Sequence, residues 1–454
     1  LIVSGCAVKD SVPHILCVNP WIHDFAAYDF WARPTGLLTL AAILRKHGME
    51  VSWVDCLDRF HPRFHVPEST RSDGRGPYHK EAITKPAGLK DVTRTFSRYG
   101  IPPAWLEDDL QRLRPPDLIL VTSMMTYWAP GVRETIAVIK KVFPVVPVLL
   151  GGIYATLCPE HAQEYSGADQ VVTGAGDSVI LEWVAHYCGF SVAPKMNVQD
   201  LNSYPFPAFD LQRRMDYIPL QTSRGCPFSC PYCASNYLNP QRMVRHPRQI
   251  VQEIEYWHQR YGIRHFVFYD DALLIDPETH AIPLLEQIIK AKLDVSFHTP
   301  NALHMREITF RIASLMFTAG FKTIRLGLET AIFDKRDTFD GKVSEKAYYQ
   351  CVSALNRAGF KADQVGAYLL FGLPDQSLKA VETSIRIVKN SGMTPILAYY
   401  SPIPHTSLWS RAVSSSRYDL AADPIYTNNA IFPCQQDAFS WKTVTHLKEV
   451  IAGI

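Results

Sequence analysis

The sequence has little excess charge of either sign: 46 Lys and Arg stand against 44 Asp and Glu, a formal net charge of +2. The basic residues are scattered, so the electrostatic footprint of a nucleic-acid-binding surface is missing. It also lacks long apolar runs. The stretch 145–157 is interrupted by Pro147 and by glycines, well short of the roughly 20 apolar residues of a membrane helix, and no membrane span is expected. The opening LIVSGCAVKDSVPH has no basic segment followed by an apolar run, so it does not read as a secretory signal. Low-complexity tracts are absent as well. With 47% hydrophobic and 20% charged residues, extended disorder is excluded, and 454 residues exceed one hydrophobic core and imply two domains.

Cysteine is present but unevenly placed. Of ten, three fall within eight residues, Cys226, Cys230 and Cys233, and the other seven are dispersed. A disulfide framework would spread its partners, so this distribution points to a metal site in a reducing, cytoplasmic setting. Cys6, Cys17, Cys56, Cys158, Cys188 and Cys351 read as small buried hydrophobes.

Hydrophobic patterning then organises the chain. HILCVNP (14–20) is a short buried-strand pattern, and PTGLLTLAAILRKHG after it is a helix ending at Gly48. EVSWVDC, PDLILVTSMM, PVLLGG and ADQVVTGAG continue the strand series, with GVRETIAVIKKVF and PEHAQEYSG as intervening helices. This alternation predicts an α/β, doubly wound, Rossmann-like domain over 1–190, with ligands at the carboxyl ends of a five-stranded parallel sheet. An insertion at 59–116, helical near Leu106 to Leu113, is too long for a plain connection and reads as a binding or lid element. Residues 191–216, with Pro194, Pro205 and Pro207, read as a linker.

A second alternation fills 217–402. Strands are expected at 218–223, 265–270, 294–300, 323–329, 365–372 and 395–401, separated by helices at 247–261, 278–291, 306–319, 344–358 and 376–390. Six βα units predict a partial (β/α)6 barrel with its chemistry at the carboxyl ends of the strands, followed by a C-terminal extension over 403–454.

TSRGCPFSCPYCAS follows the first barrel strand directly, which is where such a fold places its site. Three thiolates hold three irons of a [4Fe-4S] cubane and leave the fourth for another ligand. A closed zinc site is the competing reading, but it wants four protein ligands and no second CxxC pair exists. CxxxCxxC with an aromatic, Tyr232, before the last cysteine resembles the radical S-adenosylmethionine (SAM) superfamily, over about residues 215–405. The resemblance implies that SAM chelates the open iron and is cleaved reductively to methionine and a 5′-deoxyadenosyl radical, which takes hydrogen from unactivated carbon.

Other strand ends then become candidates for the SAM site. Glu329, in GLET, offers two acceptor oxygens to the ribose hydroxyls, with a surface salt bridge as the alternative. Asp270 and Asp271 stand where the superfamily often has Gly-Gly-Glu for the SAM ammonium. Asn301 reads as a SAM or substrate contact or as a turn residue. Gly372 and Pro374 read as backbone approach to adenine or as turn chemistry.

A doubly wound domain ahead of this barrel is similar to the cobalamin-binding branch of the superfamily. The segments LVTSMM, LLGGIYATLCPEH and VVTGAGD carry that likeness. It implies that Thr122, Ser123, Gly151, Gly152, Gly174 and Gly176 line the cobalamin tail and that the loop from Trp21 to Gly36 faces the corrin. Plain turn geometry is the other reading of the glycines. The DxHxxG motif that supplies a cobalt-ligating histidine elsewhere is missing, since the loop reads PWIHDFAAYDFW. His23 is then a candidate axial ligand beside a water or an open position.

The expected activity is cobalamin-dependent radical SAM methylation of a carbon or phosphorus centre. Cyclisation or rearrangement, a first domain without cobalamin, and an Fe-S or zinc sensor or scaffold are the alternatives. A reductant such as flavodoxin or ferredoxin is implied by the resemblance. In the extension, Pro402, Pro404, Trp409, Phe432 and Trp441 read as packing over the barrel mouth or as a substrate wall, and Cys434 as a bland thiol, a cluster ligand or a proton or hydrogen donor.

Overall fold

A computed structural model describes residues 12–64, 70–334, 341–435 and 439–453; Cys6, part of the 59–116 insertion and the chain's first residues lie outside these. The chain forms two compact units, 1–215 with 423–425 and 216–422 with 426–454.

The first unit is built on a parallel sheet of β1 (His14–Asn19), β2 (Glu50–Asp55), β3 (Leu118–Val121), β4 (Val148–Leu150) and β5 (Gln170–Val171), in the order β5-β4-β3-β1-β2. Crossover helices cover both faces: α1 (Thr35–Lys46), α2 (Pro103–Gln111), α3 (Ala129–Val142), α4 (Ile153–Leu157), α5 (Pro159–Tyr165) and α6 (Ile180–Cys188). The strand periodicity of two divides the sheet between two cores. Leu16, Val18, Ile119 and Val121 pack with Val132, Ile136 and Ile139 of α3. Ile15, Cys17, Leu118 and Leu120 pack with Leu37, Ala41 and Leu44 of α1 and with Val184 of α6. Such a strand is apolar along its whole length because both faces are dry.

Two segments differ from their sequence patterns. The prolines of 191–215 break any regular period, yet this stretch is packed rather than free. Ala208 is buried, with Val192, Met196, Tyr204 and Leu211 against the α1 side of the sheet, and the Ala208 N–H donates to Leu38 O at 3.0 Å. Apolar contact does not require a repeating element. The insertion, in turn, pairs with the loop after β1. Ile22–Asp24, Ser97–Tyr99 and Lys80–Ala82 form an antiparallel ribbon, and Tyr28–Asp29 pairs with Gly76–Pro77.

The second unit carries six parallel strands in sequential order: β6 (Ile218–Leu220), β7 (His265–Phe268), β8 (Ser296–His298), β9 (Phe321–Glu329), β10 (Val365–Phe371) and β11 (Thr394–Tyr399). A short strand, Leu303–His304, pairs with β9 at Leu326 and Gly327. The helices between are α7 (Pro247–Tyr261), α8 (Ala281–Ala291), α9 (Phe310–Ala319), α10 (Glu345–Ala358) and α11 (Leu378–Asn390). Side-chain N-caps start several of them: Thr309 accepts from Ile312 N, and Ser344 from Ala347 N. Phe266, Phe268, Phe297 and Phe321 are buried together, with Phe268 and Phe321 stacked at 5.5 Å between centroids. This aromatic mass fixes the strands whose ends bear the polar groups described next.

After β11 the chain forms α12 (Trp409–Ser415) and α13 (Trp441–Ala452). Phe432 packs on Phe371 and Tyr399, the last residues of β10 and β11, and on Trp441. Among the described residues no helix is long and apolar enough to cross a membrane.

Candidate cluster and cofactor sites

The cysteine loop leaves β6 through Thr222 and Ser223, and both are held by one buried carboxylate. Asp270, just beyond β7, accepts from Thr222 N at 3.0 Å and from the Thr222 and Ser223 hydroxyls at 2.7 Å. Burial pushes its carboxyl above the usual carboxylate range against these donors. His280 lies behind Thr222 Oγ1 at 2.8 Å, and burial lowers its pKa to about 4. Asp270 therefore braces the root of the loop, and its acceptor capacity is spent inside the protein. Its neighbour Asp271 is turned the other way, toward Gly225, Ser235 and Cys226. Of the two carboxylates expected to contact SAM, Asp271 is the one beside the cysteines. Asn301 donates from Nδ2 to Tyr269 O at 2.8 Å, tying two strand ends.

Cys226 and Cys230 are half-buried and Cys233 is exposed, and every described cysteine is a free thiol. Returning donors secure the loop. Ser235 N points to Cys233 Sγ at 3.5 Å, and Asn236 Nδ2 donates to Phe228 O at 3.1 Å. The Phe228 ring sits 4.6 Å from the His304 ring and 4.1 Å from the Arg306 guanidinium, and Leu408 N donates to Pro231 O at 2.9 Å. Among the described residues no three His, Cys, Asp or Glu side chains converge on one ion-sized point.

Burial raises the pKa of Cys226 and Cys230, and the ammonium of Lys342 opposes that rise at both. Lys342, which the sequence patterns did not single out, is buried and pairs with Glu329 at 3.0 Å through Oε1. Tyr232 donates to the same oxygen at 2.8 Å. The fit is tight: a Cβ on Gly327 would lie 2.7 Å from Lys342 Nζ. Glu329 itself has φ +59, a left-handed conformation uncommon for a residue with a side chain, which turns its carboxylate into the loop rather than along β9. The surface salt bridge weighed for Glu329 is thus a buried pair. Beyond β10, Gly372 turns with φ +95, and a Cβ there would meet Phe432 at 3.6 Å. Cys434 is buried, its Sγ 3.7 Å from Ala412 O, beside Tyr400 and Leu420. Burial raises its pKa to about 11, the setting of an inert thiol.

In the first unit the expected cobalamin residues lie at the ends of β3, β4 and β5, where their roles separate. Ser123 is buried, its hydroxyl donating to Gly151 O at 2.7 Å, so it ties β3 to β4. Gly152, at φ +99, lies so close to this bend that a Cβ would meet Ser123 O at 2.3 Å; its lack of a side chain is required by packing. Gly151 and Gly174 are different. A Cβ at Gly151 would meet only Val172 O, at 3.8 Å, and one at Gly174 nothing within 4 Å. They border open space that a ligand can enter. Gly176 faces Leu40, and Thr122 is half-buried at the end of β3. Thr156, unmarked in the sequence patterns, donates to Gly152 O at 2.8 Å and accepts from Gly174 N at 3.0 Å, bridging the two glycine turns. The residues thus fit a ligand laid across the ends of β4 and β5.

His23 is buried against Glu134, Nε2 to Oε2 at 2.7 Å, and Arg98 holds the same carboxylate at 2.7 Å. In the loop expected to face the corrin, Trp21 and Trp31 are buried and donate to Ile101 O and Asp73 O. The loop is anchored into the insertion.

Residues 220–388 match the family model of the radical SAM superfamily, and 99–183 that of the B12 binding domain. The chain belongs to the cobalamin-binding radical SAM family. Its cofactors are a [4Fe-4S] cluster, SAM and cobalamin. It is 26% identical over 332 residues to the uncharacterized methyltransferase PH0819 of Pyrococcus horikoshii, covering 66% of this chain and 70% of that one. It is 24% identical over 334 residues to the anaerobic magnesium-protoporphyrin IX monomethyl ester cyclase of Rubrivivax gelatinosus, covering 65% of this chain but only 58% of the cyclase. The radical SAM methyltransferase TsrM of Kitasatospora setae, solved with cobalamin and a [4Fe-4S] cluster, superposes with a TM-score of 0.65 over 90% of this chain and 76% of its own, at 15% identity. That likeness is one of fold.

Proposed function

We propose that this radical SAM enzyme is a methyltransferase acting on an unactivated carbon or phosphorus centre. The observation that carries the reading is the cysteine loop at the end of β6 with Tyr232, Glu329 and Lys342 joined beside it, in a chain whose first unit leaves Gly151 and Gly174 open at its strand ends. When bound, the cluster and SAM supply hydrogen abstraction from carbon, and cobalamin supplies methyl donation. Cys226, Cys230 and Cys233 hold the cluster, and Asp271 and Glu329 orient SAM beside it. Asp270 and Asn301 position that set without touching it. Packing of Phe432 and Trp441 on the ends of β10 and β11 keeps water from that side of the barrel mouth. The enzyme works in the cytoplasm with a small flavodoxin- or ferredoxin-type reductant.

The test is anaerobic reconstitution with iron, sulfide and cobalamin, followed by reduction in the presence of SAM. The wild type yields 5′-deoxyadenosine and Cys226→Ala does not; no deoxyadenosine from reduced, cluster-loaded wild type overturns the radical reading. S-adenosylhomocysteine formed alongside selects methyl transfer. Its absence while a substrate is consumed selects the ring-forming chemistry of the cyclase relative.

A further inference from the structure

One cavity in the first unit contains none of the residues assigned above to the cluster, to SAM or to the cobalamin tail. It encloses about 310 Å³ at the carboxyl end of β2, the edge strand of the sheet. The candidate residues for the cobalamin tail stand at the ends of β3, β4 and β5, across β1 from it, and none of them lines it, whereas Arg33 of the loop expected to face the corrin does. Its walls come from Arg33 in the loop after β1, from β2, from the start of the insertion, from the end of α2 and from residues 211–214. The insertion and the packed 191–215 segment thus meet here, two features that the cofactor chemistry leaves without a role.

The lining is rich in donors. Five arginines, 33, 59, 112, 213 and 214, face three aspartates, 55, 58 and 109. Those carboxylates are already engaged by the protein. Arg213 Nε donates to Asp58 at 2.9 Å, His61 Nε2 lies 2.9 Å from Asp109, and Asp55 accepts from Asn19 Nδ2 at 2.8 Å and from Leu57 N at 2.9 Å. Burial and the neighbouring Asp58 raise Asp55 to about 6, so this carboxyl takes up a proton as pH falls through about 6 and then no longer repels an incoming anion. Meanwhile three buried nitrogens of the lining have no hydrogen-bond acceptor: Trp53 Nε1, Arg59 Nε and Gln212 Nε2. Gln212 is 9% exposed and Arg59 3%. Native proteins seldom leave such groups unsatisfied, and all three are donors. What they lack is an acceptor.

We propose that this cavity is a binding site for a small anionic ligand bearing a carboxylate or phosphate group, held by the buried donors of Trp53, Arg59 and Gln212 and by the arginines at its rim. Its volume is at the lower end for small-molecule sites, about 300 Å³, enough for a compact metabolite and too small for a macromolecule. Phe60, with the Arg214 guanidinium 4.3 Å from its ring centroid, supplies an apolar wall. The site is separate from methyl transfer, and its failure leaves that reading untouched.

Calorimetric titration of the full chain, with and without cobalamin loaded, decides it. Inorganic pyrophosphate and citrate serve as probes, each against sodium chloride at matched ionic strength. At least one binds saturably, and binding weakens tenfold or more in the Arg213→Gln/Arg214→Gln double variant and in Gln212→Leu. The second variant removes a donor but no charge, so it separates a built site from general attraction, and its unliganded melting temperature stays at or above that of the wild type. Pyrophosphate alone identifies a phosphate ligand and citrate alone a carboxylate; either supports the proposal. No saturable binding of either probe, equal binding in both variants, or loss of binding once cobalamin is loaded overturns it.

Discussion

The hydroxyl of Tyr232 donates to Oε1 of Glu329 at 2.8 Å, so the residue before the third cysteine of the loop is fastened to the end of the fourth barrel strand. In Tyr232→Phe the cysteines remain and the cluster assembles, but Glu329 loses one of the donors that orient it. The SAM dissociation constant is expected to rise about fivefold, the worth of one ordinary hydrogen bond. Calorimetry on cluster-loaded protein, with iron content as control, measures it; unchanged affinity would detach Glu329 from SAM.

Lys342 carries the balancing charge. Lys342→Met leaves the buried Glu329 carboxylate without its cation, at a cost of about 3 kcal/mol in chemical denaturation. The double variant Lys342→Met/Glu329→Gln recovers most of that. The same ammonium opposes the burial of the Cys226 and Cys230 thiols, so the midpoint potential of the bound cluster becomes more negative in Lys342→Met and stays near wild type in Lys342→Arg. A potential unmoved by Lys342→Met would show that the lysine serves packing only.

Asp270 is expected to act on the loop and not on SAM. Asp270→Ala strips the acceptor from the Thr222 and Ser223 hydroxyls and backbone, costing about 3 kcal/mol and lowering iron and sulfide incorporation. Asp270→Asn keeps an acceptor and incorporates more than Asp270→Ala. SAM affinity per assembled cluster stays at the wild-type value in Asp270→Asn, whereas Asp271→Asn lowers it.

These three predictions follow from side-chain directions, which is where the sequence was least legible. The parallel strands could be read because a strand dry on both faces is an unbroken apolar run, as in ILCV (15–18) or LILV (118–121). The cysteine spacing is equally plain. Which of Asp270 and Asp271 faces the loop is not, because two adjacent residues at a strand end point to opposite sides and only the turn decides which is inward. Lys342 has no pattern at all, standing in a polar interval thirteen residues after its partner. Its one cue is position, two residues before the Ser344 cap of α10. Ser123 and Gly152 match a ligand pattern and also serve the backbone, since a bend that brings Gly152 against Ser123 calls for the same residue types as a cofactor turn. The 191–215 segment is the opposite case, irregular in period but apolar enough to pack.

Acid should weaken the second unit. Burial depresses His280 to about 4 and, with Lys342 and Arg306 nearby, His304 to about 3, from an ordinary 6.5. Folding therefore excludes a proton that the unfolded chain accepts. The stability these neutral rings permit is complete above about pH 6.5 and is lost as pH falls, by about 2 kcal/mol each at pH 5. Denaturation at pH 7.5, 6.0 and 5.0 should show that slope, and His304→Phe, which keeps a ring beside Phe228, should make it shallower. An unchanged slope would mean that His304 is not held neutral.

The hydrogen bond from Leu408 to Pro231 spans most of the second unit's length in sequence. During synthesis the three cysteines leave the ribosome long before Glu329 and Lys342 do, and longer still before the segment at 408 that clasps the loop. Whatever delivers iron and sulfide to a half-made chain meets ligands without their cradle. Cluster insertion belongs, on this architecture, to the end of the protein's maturation, and a chain cut short before 408 would keep its signature motif and lose the means of holding it still.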